Sequence, residues 1–164
     1  RPGKNEITIH GVGNLLTTIA KCCKPLPGDA IAGYITVGRG ASIHRSDCPQ
    51  LLQLGELEPE RIIEVSWGNR QEKVYPVDIL IEAYDRAGLL RDITTLLAME
   101  RINVTAVNTL SDKSTNTATM RLTIEITGLL ALSHLFVKIN RLPNVISVNR
   151  LTDKEKPNDN GSSP

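Results

Sequence analysis

Aromatic residues are scarce in this chain of 164 residues, which has one Phe, one Trp and three Tyr. RNA-binding sheets commonly stack bases on exposed aromatic rings, so this composition argues against base stacking. Cysteine is also rare, with only Cys22, Cys23 and Cys48. An odd count leaves one thiol over in a paired framework, and the sequence shows no secretory signal. We therefore do not expect structural disulfides.

Long apolar runs and strong net charge are missing as well. No run approaches the roughly 20 apolar residues that a membrane-spanning helix needs. The net charge of +1 is far from that of a polybasic nucleic-acid-binding arm. The sequence also has no P-loop pattern and no clustered metal-binding acids, so we expect no phosphoryl-transfer site. These absences favour a soluble, cytoplasmic and noncatalytic chain. The sequence opens without Met and ends in a polar tail, so we expect a fragment of a larger protein.

The three cysteines and one histidine form two close pairs. Cys22 and Cys23 are adjacent, and His44 lies four residues before Cys48, a spacing that fits one helical turn. Structural zinc is usually held by four Cys or His ligands in a tetrahedron, so the pattern predicts a structural Zn²⁺ at these four residues. Two alternatives stay open: ordinary buried cysteines in a core, and a redox-sensitive thiol pair at Cys22 and Cys23.

Short elements are expected around these pairs. Asn14 is predicted to cap a helix that carries the first cysteine pair at its C-terminal end, where Pro25 stops it. Ser46 or Asp47 is predicted to cap a second helix that includes Cys48. The predicted strands are 7–9, 30–37, 41–43 and 61–67, with a turn at 38–40. A unit this small buries little apolar surface, which independently favours a stabilising metal.

Four basic residues flank the predicted metal site and are our candidates for contacts with RNA phosphates: Lys21, Lys24, Arg39 and Arg45. Within residues 21–48, Asp29 and Asp47 are the only acidic residues that offset these four positive charges. Phosphate contacts of this kind position a protein on RNA without reading its sequence. Four solvated surface charges are the alternative interpretation.

The C-terminal half has the clearest periodicity in the sequence. Apolar residues alternate over 75–83 and 118–126, which predicts strands, and recur at helical spacing over 89–100 and 132–139. Further strands are predicted at 102–109 and 145–150, with a hairpin loop at 111–116. The order βαββαβ predicts a ferredoxin-like α+β domain with both helices on one face of an antiparallel sheet. RNA-recognition modules share this topology, but the third strand carries no ring on its outward face: Thr119, Arg121, Thr123 and Glu125.

The turn after the first strand of this domain, Asp85-Arg86-Ala87-Gly88-Leu89-Leu90, resembles the signature of ACT regulatory domains. Gly88 lets the backbone approach a ligand, and the N-terminus of the following helix can receive a carboxylate. Asn103 and Val104 resemble the position where ACT domains often place a ligand-contacting side chain. The candidate ligand-binding residues are therefore Asp85, Gly88, Leu89, Asn103 and Val104. A turn that simply requires glycine is the alternative.

Together, the two halves resemble one family. The stretches Val12-Gly13-Asn14, 19–29, Gly38-Arg39-Gly40 and 44–48 look like the conserved-cysteine zinc-finger domain of long RelA/SpoT proteins. Asp85 to Ile93 and Ile102-Asn103-Val104 look like the ACT domain that follows it there. The resemblance spans about residues 10–151. The predicted domains are a zinc-finger domain at 1–67 and an ACT domain at 75–151, joined by a linker at 68–74. The polar composition of the C-terminal end predicts a disordered tail at 152–164.

The resemblance also carries expectations about function. Long RelA/SpoT proteins make, and some hydrolyse, guanosine tetra- and pentaphosphate, and the motifs look closer to the ribosome-dependent synthetase branch. The family's zinc ligands fall on Cys22, Cys23, His44 and Cys48. The implied partners are large-subunit ribosomal RNA and uncharged A-site tRNA, a second copy through the ACT domain, and a branched-chain amino acid. Autoinhibition, ACT-mediated allosteric control and a thiol redox switch are the alternative roles.

Overall fold

The computed structural model describes residues 7–9, 15–38, 40–68 and 73–151. The chain divides between Lys73 and Val74 into two compact units, which we call the N-terminal and C-terminal units. Among the described residues, no helix combines the length and hydrophobicity needed to cross a membrane. The disordered tail predicted for 152–164 lies outside the described residues.

The N-terminal unit is built on two small sheets. Its elements are β1 (Ile7–Ile9), β2 (Thr17–Ile19), β3 (Ile31–Thr36), β4 (Gly40–Arg45), α1 (Pro49–Leu57), a 3-10 turn (Pro59–Arg61), β5 (Ile62–Ile63) and β6 (Val65–Trp67). Four strands form a sheet in the order β2-β4-β3-β5, in which β2 runs parallel to β4 and the other pairs are antiparallel. Strands β1 and β6 pair separately and antiparallel.

Residues 17–19 form a strand, so the helix predicted before Cys22 was wrong. Thr17, Thr18 and Ile19 are all β-branched, which favours strand over helix. They pair with β4, and the Ala20 N–H extends the pairing by donating to the Ile43 carbonyl at 2.9 Å. Here the pairing with β4, a strand distant in sequence, outweighed the helical spacing of the apolar residues. Asn14, the predicted cap, lies outside the described residues.

Three further predictions for this unit need correction. His44 lies on strand β4 and α1 begins only at Pro49, so His44 and Cys48 do not share a helical turn. Cys48 itself is the N-cap residue, in place of Ser46 or Asp47. The predicted strand 61–67 is split into β5, which pairs with β3, and β6, which pairs with β1.

The predicted turn around 38–40 is supported at its glycines. Gly38 and Gly40 have φ values of 73° and 88°, in the left-handed region that glycine adopts at little cost. A Cβ on Gly40 would lie 2.1 Å from the carbonyl oxygen of Leu16. Glycine is therefore required where β4 begins beside the residue that precedes β2. Arg39, between the two glycines, lies outside the described residues.

The C-terminal unit has the predicted βαββαβ order. Its elements are β7 (Tyr75–Tyr84), α2 (Leu89–Met99), β8 (Val104–Asp112), β9 (Thr117–Ile126), α3 (Leu129–Asn140) and β10 (Val145–Arg150). The strands form one antiparallel sheet in the order β10-β7-β9-β8. Alternate residues of β7 and β9 are buried on the face that the helices cover. The predicted ferredoxin-like α+β fold is confirmed.

The edges of this sheet show one difference from prediction. Strand β8 begins later and extends three residues further than the predicted 102–109, into the predicted hairpin loop. It is an edge strand that is almost entirely exposed, so it carries little of the alternation that marks β7 and β9. Strand β10 has the predicted bounds.

Candidate metal centre

Three separate elements bring the four predicted zinc ligands together. Cys22 and Cys23 lie in a turn after β2, His44 lies near the end of β4, and Cys48 caps α1. We call these four residues the Cys/His cluster. The turn is closed by the Lys24 N–H, which donates to the Ala20 carbonyl at 3.2 Å. The ligand atoms of the cluster all lie within 4.8 Å of one another.

The distances in the Cys/His cluster fit a tetrahedral metal site. Zn–S bonds of about 2.3 Å and Zn–N bonds of about 2.0 Å place two sulfurs about 3.8 Å apart, and a sulfur and a nitrogen about 3.5 Å apart. Cys22 Sγ lies 3.7 Å from Cys48 Sγ. His44 Nδ1 lies 3.3 Å from Cys22 Sγ and 3.8 Å from Cys23 Sγ. A disulfide would require about 2.05 Å, and none of the three cysteines, all of them within the described residues, forms one.

Hydrogen bonds behind the Cys/His cluster orient two of its members. The second ring nitrogen of His44, Nε2, lies 3.0 Å from Ser42 Oγ. The Arg45 backbone N–H donates to Cys23 Sγ at 3.3 Å. Outer hydrogen bonds of this kind fix ligand orientation in metal sites, and an N–H donor also stabilises a thiolate. Ser42 was not among the predicted site residues, although its position two residues before the candidate ligand His44 could have indicated it.

Burial governs the electrostatics of the Cys/His cluster. Desolvation raises the pKa of the Cys23 thiol far above its ordinary value; the Arg45 N–H opposes this shift, and the nearby Cys22 and Cys48 add to it. Without a cation, Cys23 is therefore a protonated thiol at neutral pH. A reactive redox thiol needs a lowered pKa, so this environment disfavours the redox-switch hypothesis. It suits a metal ion, whose charge compensates for the thiolates.

A second polar cluster fixes the helix that Cys48 caps. The Tyr34 hydroxyl donates to Glu58 Oε2 at 2.5 Å, and that hydrogen bond raises the pKa of Tyr34. Arg61 lies beside both, with its Nε 3.5 Å from the same carboxylate oxygen. The ring of Tyr34 packs against Cys48 and Leu51 in the core next to the Cys/His cluster. No sequence pattern indicated this contact, because Glu58 and Arg61 lie 24 and 27 residues after Tyr34 in the sequence.

The loop after the cysteine pair is anchored in the core. Leu26 is fully buried, and its N–H donates to Asp29 Oδ2 at 2.6 Å. Trp67 on β6 donates from Nε1 to the Asp29 carbonyl at 3.0 Å. The single Trp of the chain therefore reports on the loop that leads away from Cys23.

The basic residues predicted to contact RNA differ in their surroundings. Lys21 is exposed, and Lys24 is half-buried with a left-handed φ of 45°. Arg45 forms an ion pair with Asp47 at 3.0 Å, and its side chain is 20% exposed. All three lie on the segments that carry the Cys/His cluster. Arg39 lies outside the described residues.

The predicted ligand residues of the C-terminal unit fall into two groups. Gly88, with φ 81°, caps α2, and Leu89 is buried. Asp85 directly follows β7, and its N–H donates to the Asn116 carbonyl at 2.9 Å. The turn is held by Arg86, whose guanidinium contacts Asp92 at 2.8 Å and lowers the pKa of that carboxyl.

The second group lies at the opposite end of the sheet. Asn103 precedes β8, and its Nδ2 donates to Glu125 Oε1 at 2.6 Å. Val104 is level with Val77 across β9, whereas Asp85 follows the far end of β7. Eight residues of strand correspond to about 26 Å. The structure therefore does not bring the two groups together within one chain.

Comparison with known proteins accounts for both units. The family model of the RelA/SpoT RIS domain matches residues 7–68, and that of the ACT domain matches residues 71–150. The chain belongs to the RelA/SpoT family. Both matched domains are regulatory, so these residues contain no catalytic domain of that family.

Named relatives of this RelA/SpoT chain are GTP pyrophosphokinases. The chain is 48% identical over 146 residues to that of Escherichia coli K12, a match covering 89% of this chain and 20% of the relative. It is 46% identical to that of Haemophilus influenzae, covering 88% of this chain and 20% of the relative. The chain thus spans about a fifth of the length of these relatives.

A solved structure of an ACT domain also aligns with part of this chain. The ACT domain from GTP pyrophosphokinase of Chlorobium tepidum aligns with 48% of this chain and 99% of that chain, at 22% identity and a TM-score of 0.43. The ferredoxin-like fold of this RelA/SpoT chain rests on its own strand order.

Proposed function

We propose that this chain is the ribosome-docking regulatory part of a guanosine tetra- and pentaphosphate synthetase, and that it is built around a structural zinc ion. The observation that supports this most directly is the convergence of three thiols and an imidazole inside a RIS domain. The relatives' pyrophosphokinase name supports the synthetase role. In this proposal the chain senses amino-acid starvation through ribosomes that hold uncharged A-site tRNA.

The donor set favours zinc over harder cations. Thiolate ligands suit Zn²⁺, whereas Mg²⁺ and Ca²⁺ prefer oxygen ligands. Catalytic zinc usually keeps an open position, but Cys₃His donors fill all four places of a tetrahedron. The ion would therefore stabilise the N-terminal unit and display the residues around it. Its chemistry is coordination alone.

Docking on large-subunit ribosomal RNA would use the basic residues beside the Cys/His cluster. Exposed Lys21 is the best placed of the described candidates to meet a phosphate, since Arg45 already contacts Asp47. Phosphate contacts supply affinity that falls steeply with salt. The docking proposal therefore predicts salt-sensitive binding that depends on these charges.

Reversing three charges together, Lys21→Glu, Arg39→Glu and Arg45→Glu, is expected to lower ribosome binding at least about tenfold, since each lost phosphate contact weakens binding. Co-sedimentation of the zinc-loaded chain across a KCl series measures this. The slope of log affinity against log salt should fall by about 0.7–0.9 per lost contact.

A matched control reverses three exposed charges of the C-terminal unit: Arg91→Glu, Lys113→Glu and Arg141→Glu. This variant should retain more binding than the first. Equal losses in both variants would indicate general electrostatic attraction, and unchanged binding in the first would remove these residues from the docking surface. Zinc content must match the unchanged chain in both variants.

The exposed edge of the ACT sheet favours a second role, an amino-acid-responsive dimer. Strand β8 carries exposed Val107 and Leu110, 45% and 67% exposed, and nothing pairs with its outer edge among the described residues. Antiparallel pairing of two β8 strands would bring a second copy's Asn103 toward the end of the sheet where Gly88 lies. Two copies would thereby unite ligand groups that one chain keeps apart.

Valine or isoleucine is expected to raise the melting temperature of the chain and to favour its dimer. Either amino acid would bind the site assembled in the dimer more tightly than the incomplete site of a monomer. Differential scanning fluorimetry and analytical ultracentrifugation measure these effects. Gly88→Ala and Asn103→Ala should remove the shift, and Leu110→Asp should weaken the dimer. Thr95→Ala, on an exposed position of α2, is the control. A flat response to all amino acids would exclude this role.

A further inference from the structure

The outer hydrogen bond of His44 has a consequence for metal binding. His44 presents Nδ1 to the thiols of Cys22 and Cys23 at 3.3 and 3.8 Å, and Nε2 to Ser42 Oγ at 3.0 Å. A metal binds the lone pair of an unprotonated ring nitrogen, so metal at Nδ1 requires the proton on Nε2. Ser42 Oγ must then accept the Nε2–H hydrogen bond.

The fold holds Ser42 in place for this contact. Ser42 and His44 are two residues apart on β4, so their side chains leave the same face of the strand. Strand β4 lies between β2 and β3, where Ser42 is in register with Thr18 on one side and Tyr34 on the other. Pairing on both sides fixes the Ser42 backbone more firmly than an edge position would. His44 itself is only 6% exposed.

We propose that Ser42 is a positioning residue of the metal centre, which holds the ring orientation that directs His44 Nδ1 at the ion and accepts the Nε2–H hydrogen bond of the metal-bound tautomer. This inference rests on the proposed zinc site and deepens it. Ser42 lies outside the set of four ligands, and it acts only through His44. Outer partners of ligand histidines commonly change metal affinity 10–100-fold when removed.

The alternative arrangement explains why the hydroxyl matters. If Nδ1 carried the proton, it would donate to the Cys22 thiol, and the Ser42 hydroxyl would donate to Nε2. That arrangement satisfies the hydrogen bonds but blocks coordination. The Ser42 hydroxyl can rotate to serve either tautomer, so it supports the metal-bound form without excluding the metal-free one. An alanine at this position would leave the buried Nε2–H without this acceptor.

The test compares zinc affinity in three variants of the chain. Ser42→Ala is expected to raise the Kd for Zn²⁺, measured by competition with a chromophoric chelator, by about 10–100-fold. Ser42→Thr keeps the hydroxyl and is expected to restore most of the affinity. Ser46→Ala removes an exposed hydroxyl near the Cys/His cluster and should bind zinc normally.

Three spectroscopic readouts separate positioning from general destabilisation. In long-range ¹⁵N NMR of the zinc-loaded chain, His44 should show metal at Nδ1 and a proton at Nε2. The Nε2 proton should exchange faster with water in Ser42→Ala, because its acceptor is gone. Cobalt-loaded Ser42→Ala should keep the tetrahedral thiolate spectrum, and Trp67 emission should show that the zinc-saturated variant is folded.

The outcomes distinguish this inference from the proposal beneath it. If the unchanged chain binds no zinc, the zinc site itself fails, and the role of Ser42 fails with it. If the unchanged chain binds zinc and Ser42→Ala matches its Kd within twofold, only the role of Ser42 is overturned. An equal loss in Ser46→Ala would also overturn it, since the effect would then be unspecific.

Discussion

Cys48→Ser is expected to remove the metal and unfold the N-terminal unit while the ACT domain stays folded. Serine is a favoured N-cap residue, and within the described residues Cys48 makes no capping hydrogen bond through its side chain. If capping were the only role of Cys48, serine would tend to stabilise α1. The loss must then come from coordination, which in zinc-finger peptides contributes about 10–16 kcal/mol. A small folded unit has little stability beyond such a term.

Elemental analysis and Trp67 fluorescence measure this result together. Zinc should fall from about one ion per chain to near zero, and Trp67 emission should shift to the red as its contact with Asp29 is lost. Ser46→Ala is the control and should keep both zinc and the native emission. A folded, reduced wild-type chain without zinc would contradict the metal centre, and ordinary buried cysteines would then be the better account of the Cys/His cluster.

The predicted elements were confirmed where the periodicity of apolar residues came from burial of one face of a strand or helix. Apolar residues alternate through β9 because helices cover one face of the sheet, and Ile93 and Leu97 recur on α2 because one side of that helix is buried. Local pattern and tertiary packing agree in these elements. Strand β8 was misplaced because an exposed edge imposes no such alternation.

The N-terminal unit was harder to predict because its secondary structure depends on strands that pair although they are distant in sequence. The four members of the Cys/His cluster were identified by residue type, but the strand that precedes Cys22 depends on pairing with β4. The role proposed for Ser42 depends on β4, since residues two apart share a face only in extended backbone. The hydrogen bond from Tyr34 to Glu58 left no sequence pattern at all.

Ile81→Asp is the reciprocal of the cysteine variant and is expected to remove a large part of the stability of the ACT domain while the N-terminal unit keeps its zinc. Ile81 is fully buried on β7, between Met120 of β9 and Val148 of β10. A carboxylate there has no charged partner in register, and an uncompensated buried charge costs about 3–5 kcal/mol. A domain of this size has a total stability of about 4–12 kcal/mol.

The neighbouring Leu80→Asp supplies the matched control. Leu80 points to the other face of the sheet, is half-buried, and is in register with Arg121, which can meet the new carboxylate. We expect it to cost no more than about 1 kcal/mol. Amide hydrogen exchange of β9, with zinc content measured in parallel, reports the two units separately. Similar loss of β9 protection in both variants would contradict the assignment of the buried face, and loss of zinc in Ile81→Asp would show that the N-terminal unit depends on the ACT domain.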